Sequence, residues 1–151
     1  MEPPLDALIH ALKYGNRPDL ALPLGRLLAS RVHLEGDGLV AVPLHRTRRR
    51  ERGYNQAGLL AEAAGRVWGV PVIEGLLVRS RSTAAQARLR RSERSRNVGS
   101  AFRVAVPSWA RGRSFVLLDD VGTSGSTLGA AAGPLLEAGA KRVVPVTLAL
   151  A

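Results

Sequence analysis

Cysteine is missing altogether from the 151 residues, which rules out disulfides, thiolate catalysis and thiolate metal sites. Histidine occurs at His10, His33 and His45 only, too scattered to suggest a zinc site built from imidazoles alone. Aromatic residues make up 4% of the chain, so the stacking platforms on which single-stranded nucleic acids usually lie are scarce. No uninterrupted apolar run approaches the roughly 18 residues needed to cross a bilayer. Met1 to Asp6 carries two acids and two prolines where an export signal would need a basic stretch followed by an apolar one. These absences predict a cytoplasmic protein with no membrane partner.

Positive charge, by contrast, is abundant. Lysine and arginine number 22 against 12 acids, a formal charge of +10 that attracts polyanions, whether nucleic acid or a small ligand crowded with phosphates. Hydrophobic residues form 46% of a chain of ordinary domain size, enough for one buried core.

The order of elements predicts an α/β fold with a doubly wound, mostly parallel sheet flanked by helices. Pro4 to Arg31 reads as helical with a break at Gly15 to Pro18, forming a small N-terminal helical cap or hood over residues 1–35 ahead of a core over 36–151. Leu39 to Pro43 reads as a short strand and His45 to Arg52 as a basic loop. Gly53 to Trp68 follows with helical period closed by Gly69. Further strands are predicted around Val70 to Ile73, ending at Arg79, and over Ala101 to Val106. Pro107 to Ser114 reads as a turn, Phe115 to Leu118 as a buried strand, and Gly125 to Ala138 as a helix. Pro134 inside that helix should cost about 3 kcal/mol unless it marks a kink or restart. Val143 to Leu150 is the last strand, and Pro145 assigns it to a sheet edge, where a missing amide donor is tolerated. Ser80 to Asn97 is polar and arginine-rich without an apolar stripe, the composition of an exposed mobile loop.

One segment carries most of the chemistry. Val116 to Thr127 reads VLLDDVGTSGST: a buried strand ending in two acids, then small hydroxyl and glycine residues that open a helix. In parallel α/β sheets the ligand crevice lies beyond the carboxyl ends of the strands, which directs Asp119 and Asp120 toward a substrate. Backbone amides, the hydroxyls of Thr123, Ser124, Ser126 and Thr127, and the positive end of the following helix can wrap a phosphate, with Gly125 permitting close approach. The plain alternative is a capped turn at an ordinary helix start.

This segment resembles the 5-phosphoribosyl diphosphate (PRPP) signature of type I phosphoribosyltransferases, although Gly122 stands where an aliphatic residue is more common. Three further stretches, HALKYGNRPDLA at His10 to Ala21, VPLHRTRRRERGYNQA at Val42 to Ala57 and LVRSRSTAAQARLRRSERSRNVGSAF at Leu77 to Phe102, resemble the ComF-like competence-associated proteins. In that family a cysteine-rich zinc module commonly precedes this region, and none of its cysteines lie in this chain.

The resemblance implies roles residue by residue. Asp119 and Asp120 would hold the ribose hydroxyls and, through water, a Mg2+ ion; Thr123, Ser124, Gly125, Ser126 and Thr127 would hold the 5-phosphate. Leu44, His45, Arg46, Arg79 and Arg81 would take the diphosphate, with Asp119, Asp120 and Arg79 forming the catalytic set and Ser80 to Asn97 a closing flap. Arginine suits this work because guanidinium stays charged and contacts phosphate oxygens in pairs. His10, Lys13 and Tyr14 would sit in a hood over an acceptor base, or else simply pack as core and surface. The implied reaction is phosphoribosyl transfer from PRPP to a nitrogen acceptor, such as the purine adenine, with release of diphosphate, in a homodimer. Two other readings stand beside it: a non-catalytic sensor of PRPP or a nucleotide, and a DNA-uptake factor that engages nucleic acid through its arginines.

Overall fold

The computed structural model describes residues 3–79, 101–122 and 124–150. Two helices open the chain, α1 (Pro3–Tyr14) and α2 (Ala21–Arg31), separated by a 3-10 turn over Pro18–Leu20. Strand β1 (Gly38–Ala41) leads into α3 (Arg46–Arg52) and α4 (Gln56–Trp68). A short antiparallel pair, β2 (Leu77–Arg79) with β3 (Phe102–Val104), precedes the small helix α5 (Pro107–Ala110). The chain closes with β4 (Ser114–Gly122), α6 (Ser126–Glu137) and β5 (Arg142–Leu150).

The main sheet is parallel throughout in the order β1-β4-β5, with Leu39 opposite Val116 and Val116 opposite Val144. Its two faces follow from the period of two along each strand. Leu39, Val116 and Leu118 face a core shared with Leu24 and Leu28 of α2 and Leu60 and Ala64 of α4. Val40, Phe115 and Leu117 face Leu135 of α6 and Phe102 of β3. Helices on both sides of a parallel sheet bury both faces, which is why β4 reads as a continuous apolar run from Phe115 to Leu118. Helix α2 lies so close to α4 that a Cβ at Gly25 would stand 2.8 Å from the Leu60 carbonyl oxygen.

Several sequence-based expectations need correction. His45 to Arg52 is not a loop: α3 begins at Arg46, His45 Nδ1 accepts the Thr47 amide at 3.3 Å, and Gly53 ends the helix in the left-handed region. Arginine is a good helix former, and a seven-residue solvated helix needs no apolar stripe. Val70 to Ile73 forms no full strand and makes one isolated parallel bridge, Val72 to Leu39, in which the Leu39 amide donates to the Pro71 carbonyl and the Ile73 amide to the Leu39 carbonyl; Pro71 itself has no amide with which to extend a ladder. The segment Pro107 to Ser114 contains α5 and the start of β4 as well as a turn. Strand β4 continues through both acids to Gly122, since β5 keeps pairing with it as far as Leu150. Pro134 sits inside an unbroken α6. Pro145 does lie on an edge strand, opposite Leu117. Among the described residues no helix is long and apolar enough to cross a membrane.

Candidate functional site

Strand β1 stops pairing with β4 at the register Ala41–Leu118, after which Val42 donates to the Leu118 carbonyl and the chain turns away at Pro43. Asp119 and Asp120 are therefore the first β4 residues with no β1 partner, while β5 still holds them from the other side through the Asp119–Thr147 register. The two carboxylates are fixed by the backbone that follows each of them. Asp119 Oδ1 accepts the Asp120 amide at 2.9 Å, and Asp120 Oδ1 accepts the Val121 amide at 2.7 Å.

Asp120 is 4% exposed, and Lys13 from the end of α1 approaches its Oδ2 at 3.1 Å. Burial, reinforced by the neighbouring Asp120 charge, pushes the Asp119 carboxyl up to about 6; the bond from the Asp120 amide and the more distant Lys13 charge act against this. The pair is electron-rich and only partly compensated, which suits hydroxyl donors or a hydrated cation.

Beyond β4, Ser124 Oγ donates to Ser126 Oγ at 2.9 Å, and Gly125 takes φ 72° as the residue before α6. A left-handed φ at this point is strained for a side chain, so glycine is the residue that allows the turn. Ser124, Ser126 and Thr127 are exposed; Ser124 Oγ accepts the Ser126 amide at 3.4 Å, while Gly125 supplies no side-chain cap, which leaves the next amides of the first turn of α6 available to an anion. Thr123 and Arg81 lie outside the described residues, as does the predicted flap Ser80 to Asn97.

The basic residues divide among separate surroundings. A cleft of about 1080 Å³ at the carboxyl end of β1 brings together Leu44, Arg46, Arg49, Arg79 and Arg103, with Asn55 on its wall. Ala41, the register partner of Leu118, also borders it, so this cleft adjoins the strand position immediately before the acids. Asp119, Asp120 and His45 are not among its lining residues. Arg79 stacks over the Phe102 ring at 5.2 Å, which holds its guanidinium on the cleft wall. Tyr54 donates to the Leu12 carbonyl at 2.5 Å and Asn55 Nδ2 donates to the Val42 carbonyl at 3.2 Å, while buried Gln56 accepts from Arg52. These three tie α1, β1 and α3 to the start of α4.

Sequence reasoning missed the ion pair from Lys13 to Asp120. Nothing local signals it, because the contact joins the first helix to the fourth strand. Among the described residues no group of three or more acidic or imidazole side chains is arranged to hold a metal.

A parallel sheet covered by helices, with an acidic pair and a hydroxyl turn at the end of its central strand, is the architecture of type I phosphoribosyltransferases. The comparison with solved structures agrees: glutamine phosphoribosylpyrophosphate amidotransferase from B. subtilis, complexed with ADP and GMP, superposes with a TM-score of 0.68 over 92% of this chain and 30% of its own, at 22% identity. In sequence, the chain is 39% identical over 149 residues to the DNA utilization protein YhgH of Escherichia coli K12, covering 93% of this chain and 65% of that protein. It is 35% identical over 134 residues to competence protein F of Haemophilus influenzae, covering 83% and 58%. No protein-family model matches the sequence. The chain belongs to the ComF-like family with the type I phosphoribosyltransferase fold, and it spans about 65% of the length of the first of these relatives.

Proposed function

We propose that this chain binds PRPP and transfers its phosphoribosyl group to a nitrogen acceptor, releasing diphosphate. The observation that carries the reading is the acidic pair of half-buried Asp119 and buried Asp120, placed where β1 stops and followed closely by the hydroxyl turn opening α6. In this reading the 5-phosphate sits on the Thr123 to Thr127 turn, the ribose hydroxyls on the two carboxylates, and the diphosphate toward Leu44, His45, Arg46, Arg79 and Arg81. Positive charge grows on the sugar as the leaving group departs, so the work of the protein is positioning and electrostatics. The arginines stabilise the departing diphosphate, and the carboxylates face the developing charge on the ring.

The residues present fit Mg2+ as an ion that takes most of its oxygens from substrate and water. Asp120 already faces Lys13, which leaves Asp119 as the carboxylate better placed to support the ion through water. When bound, the metal would neutralise phosphate charge. Adenine or another purine is the acceptor proposed first, and none of the described side chains is assigned as a general base.

The names of the relatives, which refer to DNA utilization and competence rather than catalysis, favour a second reading: the same site senses PRPP or a nucleotide in the service of DNA handling. Incubation with PRPP, Mg2+ and a panel of bases separates the two. Diphosphate release with one base supports the transferase; binding of PRPP by calorimetry without release across the panel supports the sensor.

A further inference from the structure

Helix α3 is too short for two full faces, yet its arginines serve two different hollows. Arg46 and Arg49, three residues apart, border the large cleft. Arg48 and Arg52, four apart, turn instead toward a second cavity of about 540 Å³ against the end of α1, whose walls are completed by Lys13, Tyr14, Asn16 and Glu51. Lys13 is already engaged with Asp120, but neither Arg48 nor Arg52 lies within ion-pair distance of a carboxylate among the described residues. Arg52 lies 5.4 Å over the Tyr14 ring, which is 66% exposed. Glu51 is the one acid on the wall, and with Lys13 matched by Asp120 the two arginines against it still leave a net positive hollow.

We propose that this second cavity is a nucleotide site distinct from the large cleft, with a phosphate on Arg48 and Arg52 and a base on the Tyr14–Arg52 stack. The volume lies within the roughly 300–1,000 Å³ typical of sites for one small molecule, which fits a single nucleotide rather than the path of a strand. Arg52 gives one N–H to Gln56 Oε1, and its remaining N–H groups together with the Arg48 guanidinium can contact phosphate oxygens, while an exposed ring beside a guanidinium accepts any base face. Lys13 borders this cavity and also holds Asp120, so occupancy of the cavity has a direct route to the acidic pair. The site stands whether or not the chain transfers phosphoribosyl groups.

Calorimetry with adenosine monophosphate, run with and without saturating PRPP, tests it. The nucleotide should bind in both conditions, whereas adenosine without its phosphate should not. Arg48→Ala should weaken binding about tenfold, the worth of a charge-assisted contact. Tyr14→Ala should weaken it about fivefold through lost stacking, and both residues are exposed enough for the variants to fold. Glu51→Gln should tighten binding, a gain that misfolding cannot mimic. The proposal is overturned if PRPP displaces the nucleotide completely, or if all three substitutions leave its affinity unchanged. It is also overturned if a short single-stranded oligonucleotide binds in an Arg48-dependent way while the mononucleotide does not, since the occupant is then a strand.

Discussion

The carboxyl end of β4 and the helix α3 carry opposite charges and solve opposite problems. At β4 the acids are few, buried or half-buried, and fixed: each accepts the next amide, Asp120 meets Lys13, and β5 pairs alongside. At α3 the charges are many and exposed, and among the described residues none of its arginines is within ion-pair distance of a carboxylate. A rigid acidic pair would give a ligand its geometry, because nothing in the pair need be reordered on binding. A loose cationic helix gives attraction and adaptability, at the cost of ordering long side chains on binding. The difference implies that substitutions in β4 are felt in folding and specificity, while those in α3 are felt in affinity and salt dependence.

The largest effect should come from the strand itself. Phe115 is 1% exposed between Leu135 and Phe102, and Phe115→Ala should destabilise the fold by about 3–5 kcal/mol in urea unfolding, as deletion of a core ring usually does. A cost near zero would mean that β4 is not the structural anchor of the acids. Next in size, Asp119→Asn combined with Asp120→Asn should weaken PRPP binding by about a hundredfold in calorimetry, the scale of two lost charge-assisted contacts. Unchanged affinity would move the donor away from β4 altogether.

Much of this contrast can be read from the residues, and what cannot be read has physical causes. The run Phe115 to Leu118 signals a strand buried on both faces because both faces are covered by helices, and Gly69 and Pro145 mark a helix end and an edge strand by backbone chemistry alone. The continuation of β4 through Asp119 and Asp120 was not legible, since acids ordinarily end strands and only the length of β5 keeps these two in the ladder. Helix α3 was hidden because periodicity reports burial, and a helix without a buried residue leaves no period. The Lys13–Asp120 pair depends on how α1 docks, a tertiary matter that no local pattern encodes. The grouping of Arg46 with Arg79, by contrast, was anticipated through the family resemblance, and the two border one cleft.

A pH series sharpens the comparison further. Asp119 has a folded-state value of about 6 against an ordinary 3.8, so below about pH 4 folded and unfolded chains both keep its proton and the group contributes nothing. Between about pH 4 and 6 the unfolded chain has lost a proton that the folded chain still holds, and stability falls as pH rises; above about 6 the full penalty is present and flat. Asp119→Asn should remove that decline in urea midpoints measured across the interval. Asp120→Asn should only reduce it, because burial, the larger cause, remains.

The smallest effect belongs to α3. Arg50 lines neither cavity, and it stands in the last turn, where a cation gains a few tenths of a kcal/mol from the carbonyl end of the helix. It also stands four residues from Arg46, a like-charge spacing that costs a similar amount. The two terms oppose each other, so Arg50→Ala should change unfolding free energy by less than about 0.5 kcal/mol. Raising the salt concentration should shrink even that, since both terms act through solvent and are screened together. A loss above about 1 kcal/mol that persists in high salt would show that α3 is packed as firmly as β4, and the division between a rigid acidic pair and a loose cationic helix would fail.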